Sequence, residues 1–147
     1  MRGLKRVTVS AGLMVVALAV AVPAWAANPH WIGTPTSSIS GNTFTASFKA
    51  AGLGNVETAD FTLSGEAVVS SRCYTKSNNK PQAANKQETV ALSTSATFPV
   101  RNGQTTGTLS ITAPAPTLEC PPGQRVVTES VTFQNVVLSG MGLTHTF

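Results

Sequence analysis

The acidic residues are the first candidates for chemistry, because acid–base catalysis and glycoside hydrolysis both use carboxyl groups placed a few Å apart. Glu57 and Asp60 are three positions apart in or just before a predicted strand, and this odd spacing turns them to opposite faces. Glu129 alone falls in phase with apolar neighbours, where burial would raise its pKa. We favour an exposed position beside a bulge, since carboxylates are mostly solvated. No catalytic pair is predicted among Glu57, Asp60, Glu66, Glu88, Glu119 and Glu129.

Motifs of nucleophilic, metal-dependent and nucleotide-binding sites are not found in the sequence. There is no Gly-x-Ser-x-Gly, no His-Glu-x-x-His and no phosphate-binding glycine loop. His30 and His145 lie near opposite ends of the chain, and neither has a partner at metal-ligand spacing. We therefore expect a protein that is not an enzyme and has no cofactor and no metal site.

The stretch CYTKSNNKPQAANKQE, from Cys73 to Glu88, is the best candidate for a binding site. One predicted strand ends at Tyr74 and the next begins at Thr89, so we expect a loop of about a dozen residues, a length typical of functional loops. Its three lysines could contact an anion or an acidic cell-wall polymer. The alternative is an Ω-loop whose amides bond to their own backbone and whose lysines protect a sheet edge. The candidate contacts are Tyr74, Lys76, Asn78, Asn79, Lys80, Asn85 and Lys86.

The first 26 residues predict export. Arg2, Lys5 and Arg6 precede an apolar run from Val7 to Val22, and a small-x-small motif ends at Ala26, the pattern of a secretory signal peptide. We expect cleavage between Ala26 and Ala27. The apolar run is roughly 16 residues, short of the ~20 that span a bilayer, so we expect a released product with no membrane contact after cleavage rather than a retained anchor.

Cleavage removes most of the positive charge. The chain has 10 Lys+Arg and 6 Asp+Glu, and three of the basic residues precede the cut, which leaves 7 minus 6, or +1. A nucleic-acid partner is excluded, because binding phosphates needs a strongly basic face. The remaining 147 minus 26, or 121, residues fit one domain. In an exported chain, Cys73 and Cys120 predict one disulfide.

Apolar residues recur with period two, which predicts an all-β fold. The clearest strand, Thr89–Val100, is followed by Asn102-Gly103, a strong signal for a hairpin with Thr105–Thr112. Further strands are predicted at Thr43–Lys49, Thr58–Ser64, Ala67–Tyr74, Val126–Leu138 (with a bulge near Gln134-Asn135) and Leu143–Phe147.

Seven to eight short strands predict a single-domain antiparallel β-sandwich of immunoglobulin-like architecture, with a closed β-barrel as the alternative. We place the domain at residues 39–147, after a flexible lead-in at residues 27–38. Trp31 in that lead-in is expected to fold back onto the sandwich. Residues 113–116, which contain two prolines, are expected to form an extended connection rather than a central strand.

Two short motifs carry a resemblance to known proteins. The segments Pro81–Lys86 (PQAANK) and Cys120–Gln124 (CPPGQ), the second followed by a Val-rich strand, resemble those of a group of small secreted proteins of actinobacteria. The resemblance covers roughly Phe44 to Leu138. Family members are often glycine-rich after the first cysteine, whereas Tyr74–Asn79 here contains no glycine. The resemblance implies export and a disulfide, and it implies no reaction.

Together these features predict a secreted, non-enzymatic β-sandwich with a binding or structural role at the cell envelope or in the medium. A cell-wall polymer or an extracellular protein is the expected partner. The alternative is an inhibitor or small-ligand carrier with a pocket between the sheets. A third hypothesis is a hydrolase that uses Glu129.

Overall fold

The computed structural model describes residues 27–147, so the predicted signal peptide, including Ala26 at the cleavage site, lies outside the described residues. Within that range the chain forms strands and no helix. The strands are β1 (His30–Trp31), β2 (Thr36–Ser40), β3 (Thr43–Ala51), β4 (Thr58–Thr75), β5 (Pro81–Pro99), β6 (Thr105–Thr112), β7 (Gln124–Gly140) and β8 (Leu143–Thr146).

The strands form two separate antiparallel sheets. In the first sheet β3 is central, with β1 and β2 along one edge and β6 along the other. The second sheet has the order β5-β4-β7-β8. The two sheets pack face to face around a shared core, which is a β-sandwich. The predicted β-sandwich is confirmed, and the closed-barrel alternative is wrong.

The core lies between the two sheets and follows the predicted alternation. Phe48 of β3 and Phe61 of β4 face each other across the sandwich, with ring centroids 4.5 Å apart. Trp31 lies 5.9 Å from both rings, so its predicted fold-back is confirmed. The other buried residues of this cluster include Phe44, Ala46, Ala50, Leu53, Ala59, Leu63, Leu109, Ile111, Val136 and Leu138.

The expectation of a flexible lead-in at residues 27–38 is wrong. His30 pairs with Ala51 and Thr36 pairs with Ser47, so β1 and β2 together form an edge strand of the first sheet. Burial of Trp31 and pairing with the open edge of β3 hold the segment in place. Because β2 is exposed along its whole length, it shows no apolar alternation from which a strand could be predicted.

The two strands predicted on either side of Gly65 form one long strand, β4. Opposite Gly65 the register with β7 shifts, because β7 carries an extra residue near Asn135, which has a positive φ of 53°. The predicted bulge is therefore confirmed. Val136 packs on Gly65 so closely that a Cβ there would lie 2.9 Å from its Cγ2. The bulge returns Val136 and Leu138 to the buried face.

The hairpin predicted between β5 and β6 is wrong, although its turn forms. Asn102 and Gly103 have φ of 52° and 71°, and Arg101 and Gln104 exchange backbone hydrogen bonds of 2.9 and 3.0 Å. Beyond the turn the strands part, since β5 pairs with β4 and β6 pairs with β3 in the other sheet. The long β4 offers β5 a partner along nearly its whole length. An Asn-Gly pair predicts a tight turn but does not select the partners of the strands.

Candidate functional site

The loop predicted between Cys73 and Glu88 is much shorter than expected. β4 continues to Thr75 and β5 begins at Pro81, so residues 76–80 alone make the turn. The dozen-residue loop is wrong because β5 already begins at Pro81, opposite Tyr74, and residues 85–88 pair with β4, where Asn85 lies opposite Arg72. A strand at a sheet edge needs no apolar residues on its solvent face, so its polar sequence resembles a loop.

The turn is held by its own polar groups. Thr75 N–H donates to Lys80 O at 2.9 Å, Asn79 N–H donates to Thr75 O at 3.0 Å, and Lys80 N–H donates to Thr75 Oγ1 at 3.0 Å. The Thr75 hydroxyl bonds to the Asn78 side chain. Asn79 occupies the left-handed region with φ 53°, which asparagine tolerates well. Asn78 and Asn79 therefore shape the turn, and the side chains of Lys76 and Lys80 remain exposed.

Two arginines that were not among the predicted contacts, Arg72 and Arg125, lie beside this turn. Arg72 and Tyr74 point from β4 to the outer face, where Tyr74 Oη donates to Glu129 Oε1 at 3.0 Å. Arg72 Nε forms an ion pair with the same oxygen at 3.2 Å. Arg125, which lies opposite Tyr74 in the register, donates to the side chain of Asn79. The sequence gives one indication of this cluster: Arg72 and Tyr74 are two positions apart on a strand, so their side chains lie on the same face.

We call Arg72, Lys76, Lys80 and Arg125 the basic tip. They are four of the 7 basic residues that follow the predicted cleavage site. One acid is bound to this group, since Glu129 is paired with Arg72. The tip therefore has four basic groups and one acid paired with them, within residues 27–147, which contain 7 basic and 6 acidic residues.

Lys86 does not belong to the basic tip. Its side chain lies on the inward face, where Nζ is 3.2 Å from Glu88 Oε1 and donates to Thr117 Oγ1 at 2.7 Å. Thr117 N–H donates to Glu88 Oε2 at 2.9 Å, and the hydrogen bonds from Thr117 hold the pKa of the Glu88 carboxyl below its usual range. Asn85 also binds locally, since Nδ2 donates to Ala83 O at 2.9 Å. The side chains of Lys86 and Asn85 therefore bond to neighbouring residues of the chain.

Residues 113–123, which we call the strap, cross the inward face of the second sheet as the predicted extended connection. The predicted disulfide is confirmed, with Cys73 fully buried and Cα atoms of Cys73 and Cys120 5.7 Å apart. Ala113 is buried against Ala67 and Val69 at the start of the strap. Pro122 and Gly123 form a turn at its end, closed by a hydrogen bond of 3.1 Å from Gln124 N–H to Pro121 O.

The strap also braces the basic tip. Lys76 N–H donates to Gly123 O at 2.9 Å, so the turn at residues 76–80 is bonded to the turn that ends the strap. The disulfide joins β4 to the strap nearby, because Cys73 precedes Lys76 by three residues and Cys120 precedes Gly123 by three residues. The backbone that carries Lys76 and Arg125 is thus fixed by covalent and hydrogen bonds, which lowers the entropy lost when a ligand binds.

Titration of Tyr74 tests the geometry of this cluster. The hydrogen bond that Tyr74 donates to Glu129 stabilises the protonated phenol, and this raises the pKa of Tyr74 above its ordinary value near 10. Since the chain has 1 Tyr, the ultraviolet absorbance of tyrosinate reports this group alone. We expect an apparent pKa above 10 that falls in Glu129→Gln, whose amide keeps the shape but not the charge. An unchanged titration would contradict the contact.

The geometry around Glu129 matches the exposed position favoured from the sequence. Its side chain is 33% exposed, and its carboxylate is bound by Arg72 and Tyr74. No second carboxylate forms a hydrogen bond or ion pair with it among the described contacts. The described cavities are shallow surface depressions, whereas the space between the sheets is filled by the aromatic cluster around Phe61.

Two broader properties follow from residues 27–147. No group of three or more His, Cys, Asp or Glu side chains in this range is arranged to hold a metal ion. The same residues contain no helix long and apolar enough to cross a membrane.

Comparisons with protein-family models, with curated proteins and with solved structures found no match.

Proposed function

We propose that the protein is a secreted, non-enzymatic binding protein that contacts an anionic polymer at the cell envelope through the basic tip. The observation that carries this proposal is the convergence of Arg72, Lys76, Lys80 and Arg125 at one end of a nearly neutral molecule. The signal-peptide pattern of the first 26 residues and the disulfide both support a location outside the cell, where thiols stay oxidised.

The charges of the tip suit a polymer better than a small anion. An exposed ion pair contributes about 0–1 kcal/mol, so four basic groups hold a single small anion only weakly. A chain that presents many carboxylates or phosphates can rebind as each contact dissociates. Arg72 and Arg125 add planar guanidinium groups, which bind carboxylate and phosphate through paired hydrogen bonds. Binding of this kind weakens steeply as salt is added.

The alternative of an inhibitor or small-ligand carrier needs a pocket between the sheets. Such a pocket would be apolar and enclosed, with a few polar groups that orient the ligand. Phe48, Phe61 and Trp31 occupy that space, and the described cavities lie on the surface. No observation favours the carrier over the basic tip, and the same holds for a hydrolase that uses Glu129.

Co-sedimentation with purified bacterial cell walls tests the proposal. We expect the disulfide-bonded protein to bind at low salt and to be released at high salt. Lys76→Ala/Lys80→Ala removes two charges from the tip, and it should weaken binding roughly fivefold if each contact contributes about 0.5 kcal/mol.

The matched control is Lys49→Ala/Arg101→Ala, which removes the same charge at the opposite end of β5, where both residues border one surface depression. This control should bind as the wild type does. An equal loss in both variants would show that net charge, and not the tip, governs binding. Retention of wild-type binding by the tip variant would contradict the proposal.

A further inference from the structure

The open edge of β5 presents a long row of unpaired backbone groups. β5 pairs with β4 alone, and the register is continuous between Thr58 and Arg72. Val100 N–H donates to Glu57 O at 2.8 Å, so the even-numbered residues of β5 direct their backbone groups toward β4. The odd-numbered residues direct theirs toward the open edge. Five of these lie in the middle of the strand: Thr89, Ala91, Ser93, Ser95 and Thr97.

Protection against pairing lies at the two ends of β5 and in its first half. Natural edge strands avoid association by means of proline, charged side chains or bulges. Pro81 and Pro99 mark the ends of the strand, and the inward-pointing Lys86 and Glu88 lie in its first half. Residues 89–98 read TVALSTSATF and contain no charge, no proline and no glycine. This stretch has the composition of a strand that accepts a partner.

Residues 89–98 are suited to pair with the same residues of a second copy of the protein. In an antiparallel pair centred on Ser93, Thr89 falls opposite Thr97 of the other copy, and Ala91 falls opposite Ser95. The facing residues are all small and uncharged. Each pair exchanges two backbone hydrogen bonds, which gives about ten across the interface.

The inward face of the same stretch also gains from such a pair. Val90, Leu92, Ala96 and Phe98 are only half-buried, because β5 has no neighbour beyond its open edge. In the same register Val90 falls opposite Ala96 of the other copy, and Glu88 falls opposite Phe98, so no like charges meet. Covering these apolar side chains adds a hydrophobic contribution to the hydrogen bonds.

We propose that two copies of the protein associate through β5 around a twofold axis near Ser93. The β5-β4-β7-β8 sheet of one copy then continues into the same sheet of the other copy. Together they form one eight-stranded sheet. The contact is isologous, so it closes after two copies and does not propagate into a fibre. The antiparallel arrangement places the two basic tips at opposite ends of the joint sheet, roughly 80–90 Å apart at about 3.3 Å per residue.

This spacing has a consequence for binding to a polymer. A dimer with two distant tips contacts one long chain at two places, which raises the apparent affinity without any new contact. That consequence depends on the proposed function, whereas the dimer itself does not. Sedimentation without polymer measures the dimer, and so its failure is distinguishable from failure of the basic tip.

Analytical ultracentrifugation of the purified protein over a range of concentrations tests the dimer. We expect a reversible monomer–dimer equilibrium. Ser93→Pro removes an N–H that points to the open edge and leaves the pairing with β4 intact, so this variant should stay folded by circular dichroism and sediment as a monomer. Ser93→Ala keeps the backbone donor and should still dimerise.

A charge pair makes the test independent of any effect of proline on folding. Ser93→Lys and Ser93→Glu each place like charges opposite one another at the axis, and each should weaken the dimer roughly two- to fivefold. An equimolar mixture should recover association as a heterodimer. Ser64→Lys is the control, because Ser64 lies beside Ser93 on β4 and faces the same side. A wild-type monomer at millimolar concentration would overturn the proposal, as would a mixture that fails to recover.

Discussion

Replacing both Cys73 and Cys120 with alanine is expected to lower the free energy of unfolding by about 4 kcal/mol, the chain-entropy value for a loop of this length. The disulfide spans 47 positions in sequence, and the loop that it closes contains β5, β6 and most of the strap. Without it the unfolded chain explores many more conformations, while the folded contacts of β4 and β7 stay in place. Urea unfolding followed by circular dichroism measures the loss.

The disulfide has a local effect as well. Because it anchors the strap beside the turn at residues 76–80, its removal should speed amide hydrogen exchange at Lys76, which donates to Gly123 O. Wild-type protein kept in a reductant serves as the control and should match the double variant. A loss below about 1 kcal/mol would contradict the expected contribution of the disulfide.

Phe61→Ala is expected to destabilise the fold by about 3–5 kcal/mol. Phe61 is 0% exposed and lies among Trp31, Phe48 and Phe98, with ring centroids 5.9, 4.5 and 6.2 Å away. Truncation removes the transfer free energy of a whole ring and leaves a cavity that three neighbouring rings cannot fill without leaving their rotamers. Thermal and urea unfolding both measure this loss.

Two other substitutions calibrate the effect of Phe61→Ala. Phe61→Leu keeps much of the volume and should cost less than half as much. Phe147→Ala removes a ring that is only half-buried and touches Phe44 from the end of the chain, at 5.5 Å between centroids. Its effect should also be less than half that of Phe61→Ala. Similar losses at Phe61 and Phe147 would show that the core is not organised around Phe61.

The sequence was most informative where a strand has one buried and one exposed face. The alternation through Phe44, Ala46 and Phe48, and that through Leu109 and Ile111, predicted the buried faces because each inward residue is apolar. The bulge near Asn135 was predictable for the same reason, since the apolar phase of β7 changes there. Val136 and Leu138, which follow the bulge, are the apolar residues that the change of phase returns to the core.

Pairing between strands was much less predictable. The Asn102-Gly103 turn forms, yet β5 and β6 belong to different sheets, because partner choice depends on the whole length of β4 and not on the turn. β1 and β2 lack any alternation because they are largely exposed. Polar edge strands and loops have similar compositions, and this similarity led to the wrong loop at residues 81–88.

The candidate site was predicted in part. Lys76 and Lys80 lie at the tip as expected, whereas the side chain of Lys86 points to the inward face, next to Glu88. Residue 86 belongs to a strand, in which successive side chains point to opposite faces, so its direction could be predicted only once the strand was known. Arg125 could not be assigned to the site from the sequence, since it reaches the tip only through the pairing of β7 with β4. To predict that charges from separate strands lie close together, one must know the pairing register of those strands. The register depends on the tertiary structure and cannot be read from the local sequence.

If the basic tip is the surface that binds an anionic polymer, the polymer will change the amide chemical shifts of the tip residues. Long-chain inorganic polyphosphate, a soluble polymer of defined charge, is titrated into the uniformly ¹⁵N-labelled protein at low salt. We predict shifts that are largest at residues 76–80 and 123–125, that are absent around Lys49 and Arg101, and that vanish at high salt. Shifts centred on any other surface, or equal shifts at both ends of β5, would contradict the account.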